Sequence, residues 1–131
     1  MNLSLGLGCD RGTPAATIAQ AISDALIACD AQLADVSRVA SIDLKANEDG
    51  LLQVAQKYGW SIHFYPAAEL ATVDVPNPSE IVRKHTGSPS VSEAAALLIG
   101  GVDMKYLLVE KHKLRGPDGR NATVSIARIH E

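Results

Sequence analysis

Leu3-Ser4-Leu5-Gly6-Leu7-Gly8-Cys9-Asp10-Arg11-Gly12 opens the chain as a short apolar strand that empties into a glycine-rich turn, and Thr13-Pro14 behind it signals a helix start. Strand, turn and helix in that order build an anion cradle. Glycine at nearby positions lets the backbone approach a guest that a side chain would block. The first turn of the helix then aims unpaired N–H groups and the positive end of its dipole at the same space. Gly8, Cys9, Arg11, Gly12 and Thr13 are the expected contacts. A guanidinium inside such a turn forks onto a carboxylate or phosphate, whereas a turn that only reverses the chain has no need of one. A tight strand-to-helix turn without a ligand is the plainer alternative.

Working outward, Thr13 is read as a helix cap with Pro14 at the first helical position, and Ile18, Ile22, Leu26 and Cys29 recur at helical spacing. Val36 to Ile42 reads as a second strand. Asn47 to Tyr58 reads as a second helix with Leu51, Leu52, Ala55 and Tyr58 inward and Gly59 as its stop, and Ile62 to Tyr65 reads as a third strand. The connections are too long for hairpins, so these strands are expected to lie parallel under helices on both faces. Asn77-Pro78-Ser79-Glu80 and Ser90-Val91-Ser92-Glu93 both read as capping boxes. The first opens a short helix that Gly87 closes, and the second opens a helix that runs to Gly100 and Gly101. Tyr106 to Glu110 and Thr123 to Ile129 read as an antiparallel pair of strands. The basic loop between them, with Lys111, Lys113, Arg115 and Arg120, turns at Gly116-Pro117-Asp118-Gly119. The expected fold is a three-layer α/β/α domain over residues 1–131, with a mixed, mostly parallel sheet of about five strands and an antiparallel C-terminal pair.

Composition limits the partners. Of 131 residues 47% are hydrophobic, but only one is Phe and one Trp, so base-stacking platforms are scarce and nucleic acid is not an expected partner. No stretch reaches the length of a membrane span and the first residues carry no basic leader, which reads as a soluble, cytoplasmic chain with no membrane partner. Cys9 and Cys29 fall at opposite ends of the first helix, too far apart to bridge. The net charge of −3 hides an asymmetry: residues 1–80 hold ten acids against four Lys or Arg, and residues 81–131 hold five against eight. The basic loop is either a mobile flap over an anionic guest, with Lys111 as its contact, or a solvated charge run.

Ser41-Ile42-Asp43-Leu44-Lys45-Ala46-Asn47-Glu48 falls where the second strand gives way to the second helix, the edge of an open sheet that lines a ligand crevice. Asp43 and Glu48 are candidate acids or bases there, Lys45 a charge partner and Ser41 a ligand contact. The plainer alternative makes Asp43 a strand terminator and Glu48 an acid favoured in a first helical turn. Gly87, Ser90 and Glu93 offer hydroxyl and helix amides, although capping alone accounts for Ser90 and Glu93. His63, His85, His112 and His130 show no paired ligand spacing, and two isolated Cys make no zinc site, so no metal or cofactor is expected. Gly6-x-Gly8-x-x-x-Gly12 carries its third glycine one residue late for a dinucleotide fingerprint, and no Walker lysine follows it, which leaves a nucleotide-binding module as a weaker alternative.

In order along the chain stand Gly6-x-Gly8-Cys9-x-Arg11-Gly12-Thr13, Ser41-Ile42-Asp43-x-Lys45-x-x-Glu48, Gly87-x-x-Ser90-Val91-x-Glu93-Ala94-Ala95-Ala96 and Leu107-Leu108-Val109-x-Lys111. Together they resemble the CobE family of cobalamin biosynthesis, the same domain as the C-terminal part of CbiG. The resemblance implies a three-layer α/β domain in the corrin ring pathway. It also implies a polycarboxylate precorrin-type tetrapyrrole as ligand, bound or carried, with other enzymes of that pathway as possible partners. CbiG-type proteins are hydrolases that open a ring lactone of a cobalt-precorrin, so the alternative is a hydrolase in which Asp43 or Glu48 is general base toward water and Lys45 or Arg11 steadies the oxyanion. Asp10 departs from the pattern, standing where the resemblance implies a second basic residue. The oligomeric state is not legible in the sequence.

Overall fold

The structure, a computed structural model, describes residues 1–76 and 91–129. Its centre is β1 (Leu3–Cys9), flanked by β2 (Val36–Ile42) and β5 (Asn121–Arg128), with β3 (Ile62–Tyr65) and β4 (Leu107–Arg115) outermost in the order β3-β2-β1-β5-β4. β1, β2 and β3 run parallel, and β5 lies antiparallel to both β1 and β4. The expected mixed sheet and its antiparallel C-terminal pair are present.

The strand alternation of β1 sorts the layers. Leu3, Leu5 and Leu7 are fully buried in one core with Ile18, Ile22 and Leu26 of α1 (Ala15–Ala28) and Leu51 and Val54 of α2 (Asp49–Tyr58). Ser4, Gly6 and Gly8 turn to the opposite face, where α4 (Val91–Gly100) lies, with the short α3 (Ala67–Leu70) beside it. Helix α4 comes in very close. A Cβ on Gly6 would overlap the Ser92 carbonyl oxygen and stand 2.6 Å from Ala96 N, and one on Gly100 would stand 2.6 Å from Ser4 Oγ. Ala94 and Ala95 of the same helix are fully buried against Ala40 and Ile42 of β2 and Leu70 of α3, and Ala96 against Ala127 of β5. Hydroxyls then serve the polar groups of this tight layer: Ser4 Oγ donates to Ala96 O at 2.8 Å, and Ser125 Oγ reaches Ser92 Oγ at 2.9 Å. Gly8 lies near Val91 and Gly6 near Ser92, while Ser4 lies near Gly100, so α4 starts at the carboxyl end of the parallel strands.

Four expectations are corrected. Helix α1 begins at Ala15, with Pro14 and not Thr13 as its capping residue, because the Thr13 hydroxyl turns the other way and donates to Asp10 O at 2.6 Å. Helix α2 begins at Asp49, two residues later than expected, and its buried face is Leu51, Val54 and Ala55, which leaves Leu52 exposed. The basic run is not a loop. Lys111, Lys113 and Arg115 belong to β4, where His112 and Leu114 pair with the inward-facing Val124 and Ala122 of β5, and an outer strand tolerates lysines along its edge. The chain reverses only over Gly116–Arg120, so no flap spans 111–120. Strand β5 begins at Asn121, two residues early. Gly59 stops α2 as expected, in the left-handed region at φ 72°. The first capping box, Gly87 and Ser90 lie outside the described residues.

Gly6→Ala forces its methyl into backbone atoms that cannot rotate away, and its cost is expected near 3 kcal/mol, the upper part of the overpacking range. Gly59→Ala meets no atom within 4 Å and bears only the left-handed backbone cost, about 1 kcal/mol. Urea midpoints of the two variants check this, and a Gly6→Ala loss no larger than that of Gly59→Ala contradicts the close β1–α4 contact.

Candidate functional site

The β1–α1 loop is fastened from within. Asp10 N donates to Asn121 O at 2.9 Å and Thr13 N to Asp10 O at 3.2 Å, so two of its amides are satisfied by the chain itself. The Asp10 carboxylate accepts from Asn121 N at 2.8 Å and from Asn121 Nδ2 at 3.0 Å. Asp10, out of pattern for an anion loop, thus ties the loop to the start of β5. The turn before β5 closes over the same loop: Arg120 Nε donates to Arg11 O at 3.1 Å, and its Nη1 pairs with Asp118 Oδ2 at 3.0 Å. Gly12, at φ 80°, would place a Cβ 3.2 Å from Arg120 Nε. Arg11 itself is exposed.

The third amide has a carboxylate on it. Glu48 is the residue before α2, yet its side chain does not cap that helix. It crosses to the loop, where Glu48 Oε1 accepts from Gly12 N at 2.6 Å, and the residue is only 4% exposed. A buried carboxylate needs such a partner, and a hydrogen bond to a charged group contributes roughly 1.5–3 kcal/mol. The starts of α1 and α2 touch directly at this point, since a Cβ on Gly50 would overlap the Thr13 carbonyl oxygen and stand 3.0 Å from Ile18 Cδ1. Between them opens a cleft of about 420 Å³ lined by Arg11 to Ala15, Asn47 to Gly50 and Gln53. Two positive helix ends therefore face one space, with Arg11 on its wall and Glu48 and Asp49 as its own anions.

Cys9 and Lys45 stand beside this cleft. Burial pushes the Cys9 thiol up to about 11, against the pull of the Lys45 ammonium, with the Glu48 and Asp10 carboxylates adding to the rise and the Thr13 hydroxyl opposing it. Asp43 and Lys45 form a single 3-10 turn after β2, Asp43 exposed and Lys45 half-buried. Ser41 is fully buried, its hydroxyl donating to Leu7 O at 2.7 Å, where it joins β2 to β1 and does not line the cleft. The other candidates lie elsewhere. Gly8 faces Thr123 Oγ1 and Val91, and Glu93, fully buried, belongs to α4, so both lie on the α4 face of the sheet, away from the cleft. Lys111 is in β4 where the register with β5 slips, and β5 separates it from β1.

The structure thus brings Arg11, Gly12, Thr13 and Glu48 to one cleft, with Cys9 and Lys45 adjoining. Sequence reasoning placed Arg120 in the basic loop rather than at this cleft, and did not take Asn47, Asp49, Gly50 or Gln53 as site residues. Asn47 and Asp49 flank Glu48 at the helix start, a signal available in the sequence, whereas Arg120 meets the loop only because the hairpin turn folds onto it.

A family model described as "Cobalamin synthesis G C-terminus" matches residues 3–127. The chain is 39% identical over 127 residues to the cobalt-precorrin-5A hydrolase of Priestia megaterium, covering 97% of the chain but 32% of that protein, so it spans about a third of the relative's length. It is 40% identical over 111 residues to Protein CobE of a Sinorhizobium species, covering 83% of the chain and 71% of that protein. The crystal structure of a CobE, a protein from the cobalamin (vitamin B12) biosynthetic pathway, superposes with a TM-score of 0.77 at 30% identity, covering 98% of this chain and 91% of that one.

The raised Cys9 thiol makes a reactivity prediction. In a Cys29→Ser background, alkylation by iodoacetamide is expected to be slow at pH 7.5 and to keep rising until the pH reaches about 11, where the thiol ionises. A rate that levels off below pH 9 contradicts the buried, neutral thiol. The sign for stability follows: an unfolded thiol ionises near 9.0 and the folded one near 11, so the contribution of Cys9 is complete below 9.0 and is lost as pH rises between those values.

Proposed function

The chain belongs to the cobalamin synthesis G C-terminus family and is a cobalamin biosynthesis protein, and on that premise we propose that it binds and carries a polycarboxylate tetrapyrrole intermediate of the corrin pathway at the cleft between the starts of α1 and α2. The observation that supports this most is the convergence of two helix N-termini on one open cleft with the Arg11 guanidinium on its wall. Arg120, seated on the Arg11 carbonyl, adds a second guanidinium at the rim. Carboxylate arms are what such a rim recognises, because a guanidinium forks onto a carboxylate in a geometry an ammonium does not offer.

Size refines the picture. Ligand pockets span about 300–1,000 Å³, and a cleft of about 420 Å³ holds one edge of a macrocycle with its arms, leaving the rest of the ring over the rim. The buried acid of the cleft, Glu48, spends one oxygen on Gly12 N. This favours a holding role over general-base chemistry. In this account the protein acts as a carrier in the cytoplasm, and enzymes of the same pathway are the partners to which it hands its cargo. Among the described residues no helix is long and apolar enough to cross a membrane.

Uroporphyrin III, a tetrapyrrole with carboxylate arms, serves as the probe. Fluorescence titration is expected to show saturable binding that Arg11→Ala weakens by about 1.5–3 kcal/mol, the range for a hydrogen bond to a charged group. Binding that is unchanged in Arg11→Ala contradicts the cleft as the site. Pigment from the corrin pathway incubated with the protein is expected to be recovered with its mass unchanged, and release of a smaller fragment assigns hydrolysis instead.

A further inference from the structure

Glu48 occupies the position in the β1–α1 loop that a bound anion would take. Its Oε1 is 2.6 Å from Gly12 N, the residue is 4% exposed, and its neighbours Asn47 and Asp49 line the cleft together with the glycine loop. Glutamate at this position is not one of the short side chains that ordinarily cap a helix, so its carboxylate is free to reach another element. Here the carboxylate leaves α2 without a side-chain cap and spends its reach on another element. The cleft therefore has a buried carboxylate, Glu48, as its floor, the exposed Asp49 beside it, and a positive rim made by Arg11 with Arg120 adjoining on the Arg11 carbonyl.

We infer that Glu48 is a specificity-determining residue of this cleft: it keeps the Gly12 amide to itself, bars ligand carboxylates from the floor, and so directs them outward to the Arg11 and Arg120 rim. This rests on the proposed tetrapyrrole site and adds to it the rule by which the guest is oriented. Two physical reasons favour a Glu48 that stays in place when a guest arrives. Its bond to Gly12 is intramolecular, so a guest carboxylate competes with a group present at a high effective concentration. A second carboxylate driven against a buried one also meets like-charge repulsion in a site poorly screened by water. What the floor accepts is a neutral or hydrogen-bond-donating part of the guest, facing Glu48 as an acceptor. A guest with carboxylates around its whole edge is thus admitted only with one part of that edge turned to the rim.

Glu48→Gln keeps the acceptor oxygen for Gly12 and removes the charge. The variant is expected to bind uroporphyrin III about ten-fold more tightly than the unsubstituted protein, with a steeper dependence on salt, because carboxylates then reach the floor as well. Unchanged or weaker binding by a folded Glu48→Gln overturns the inference and leaves Glu48 as a fastener between loop and helix. Should the variant not fold, hydrogen exchange of the unsubstituted protein decides: the Gly12 amide is expected to exchange equally slowly with and without saturating uroporphyrin III, and a change in its protection means that the guest displaces Glu48. Failure of the site itself reads differently, as indifference of both proteins to Arg11→Ala, and binding of uroporphyrin III by neither protein overturns both the site and the role of Glu48.

Discussion

A single hydrogen bond, Gly12 N to Glu48 Oε1 at 2.6 Å, holds the site together. It joins the loop after β1 to the start of α2, two segments that also meet through the contact of Gly50 with Thr13. The bond depends in turn on a glycine at φ 80°, a backbone that an L side chain seldom adopts, and on a buried acid that would be costly without its amide. With it made, both helix starts point into one cleft.

The other face of the sheet explains why β1 can sit where it does. Gly6 and Gly100 let α4 approach β1 to backbone contact, and the hydroxyls of Ser4, Ser92 and Ser125 satisfy polar atoms in a buried layer. The glycines of the opening motif therefore divide their work. Gly12 shapes the loop toward the cleft, whereas Gly6 and Gly8 look to the α4 side and belong to packing there.

Much of this was legible in the sequence. Val36–Ile42 and Ile62–Tyr65 are strands with the bounds that hydrophobic pattern and turn residues mark, and Gly59 ends α2 where an achiral residue is needed. Charge misled where it outweighed alternation. Lys111, Lys113 and Arg115 read as loop because they are charged, yet His112 and Leu114 between them keep the strand period, and only the register with β5 reveals it. Thr13 read as a cap because local sequence cannot show that Asp10 O offers its hydroxyl a better partner. The crossing of Glu48 to Gly12, 36 residues away, had no local signal at all: the acid looked like a first-turn residue, and only tertiary packing decided which amide it took.

The proposal that carboxylate arms dock at the rim of this cleft is first of all a statement about location. Backbone amide NMR of the protein titrated with uroporphyrin III tests that claim most directly, residue by residue. The account predicts that the largest shifts fall on Arg11, Thr13, Ala15, Asp49, Gly50 and Gln53, around the cleft, with Arg120 beside them. Shifts gathered instead on α4 and the Ser4, Gly6 and Gly8 face of the sheet, with the cleft residues unmoved, contradict it.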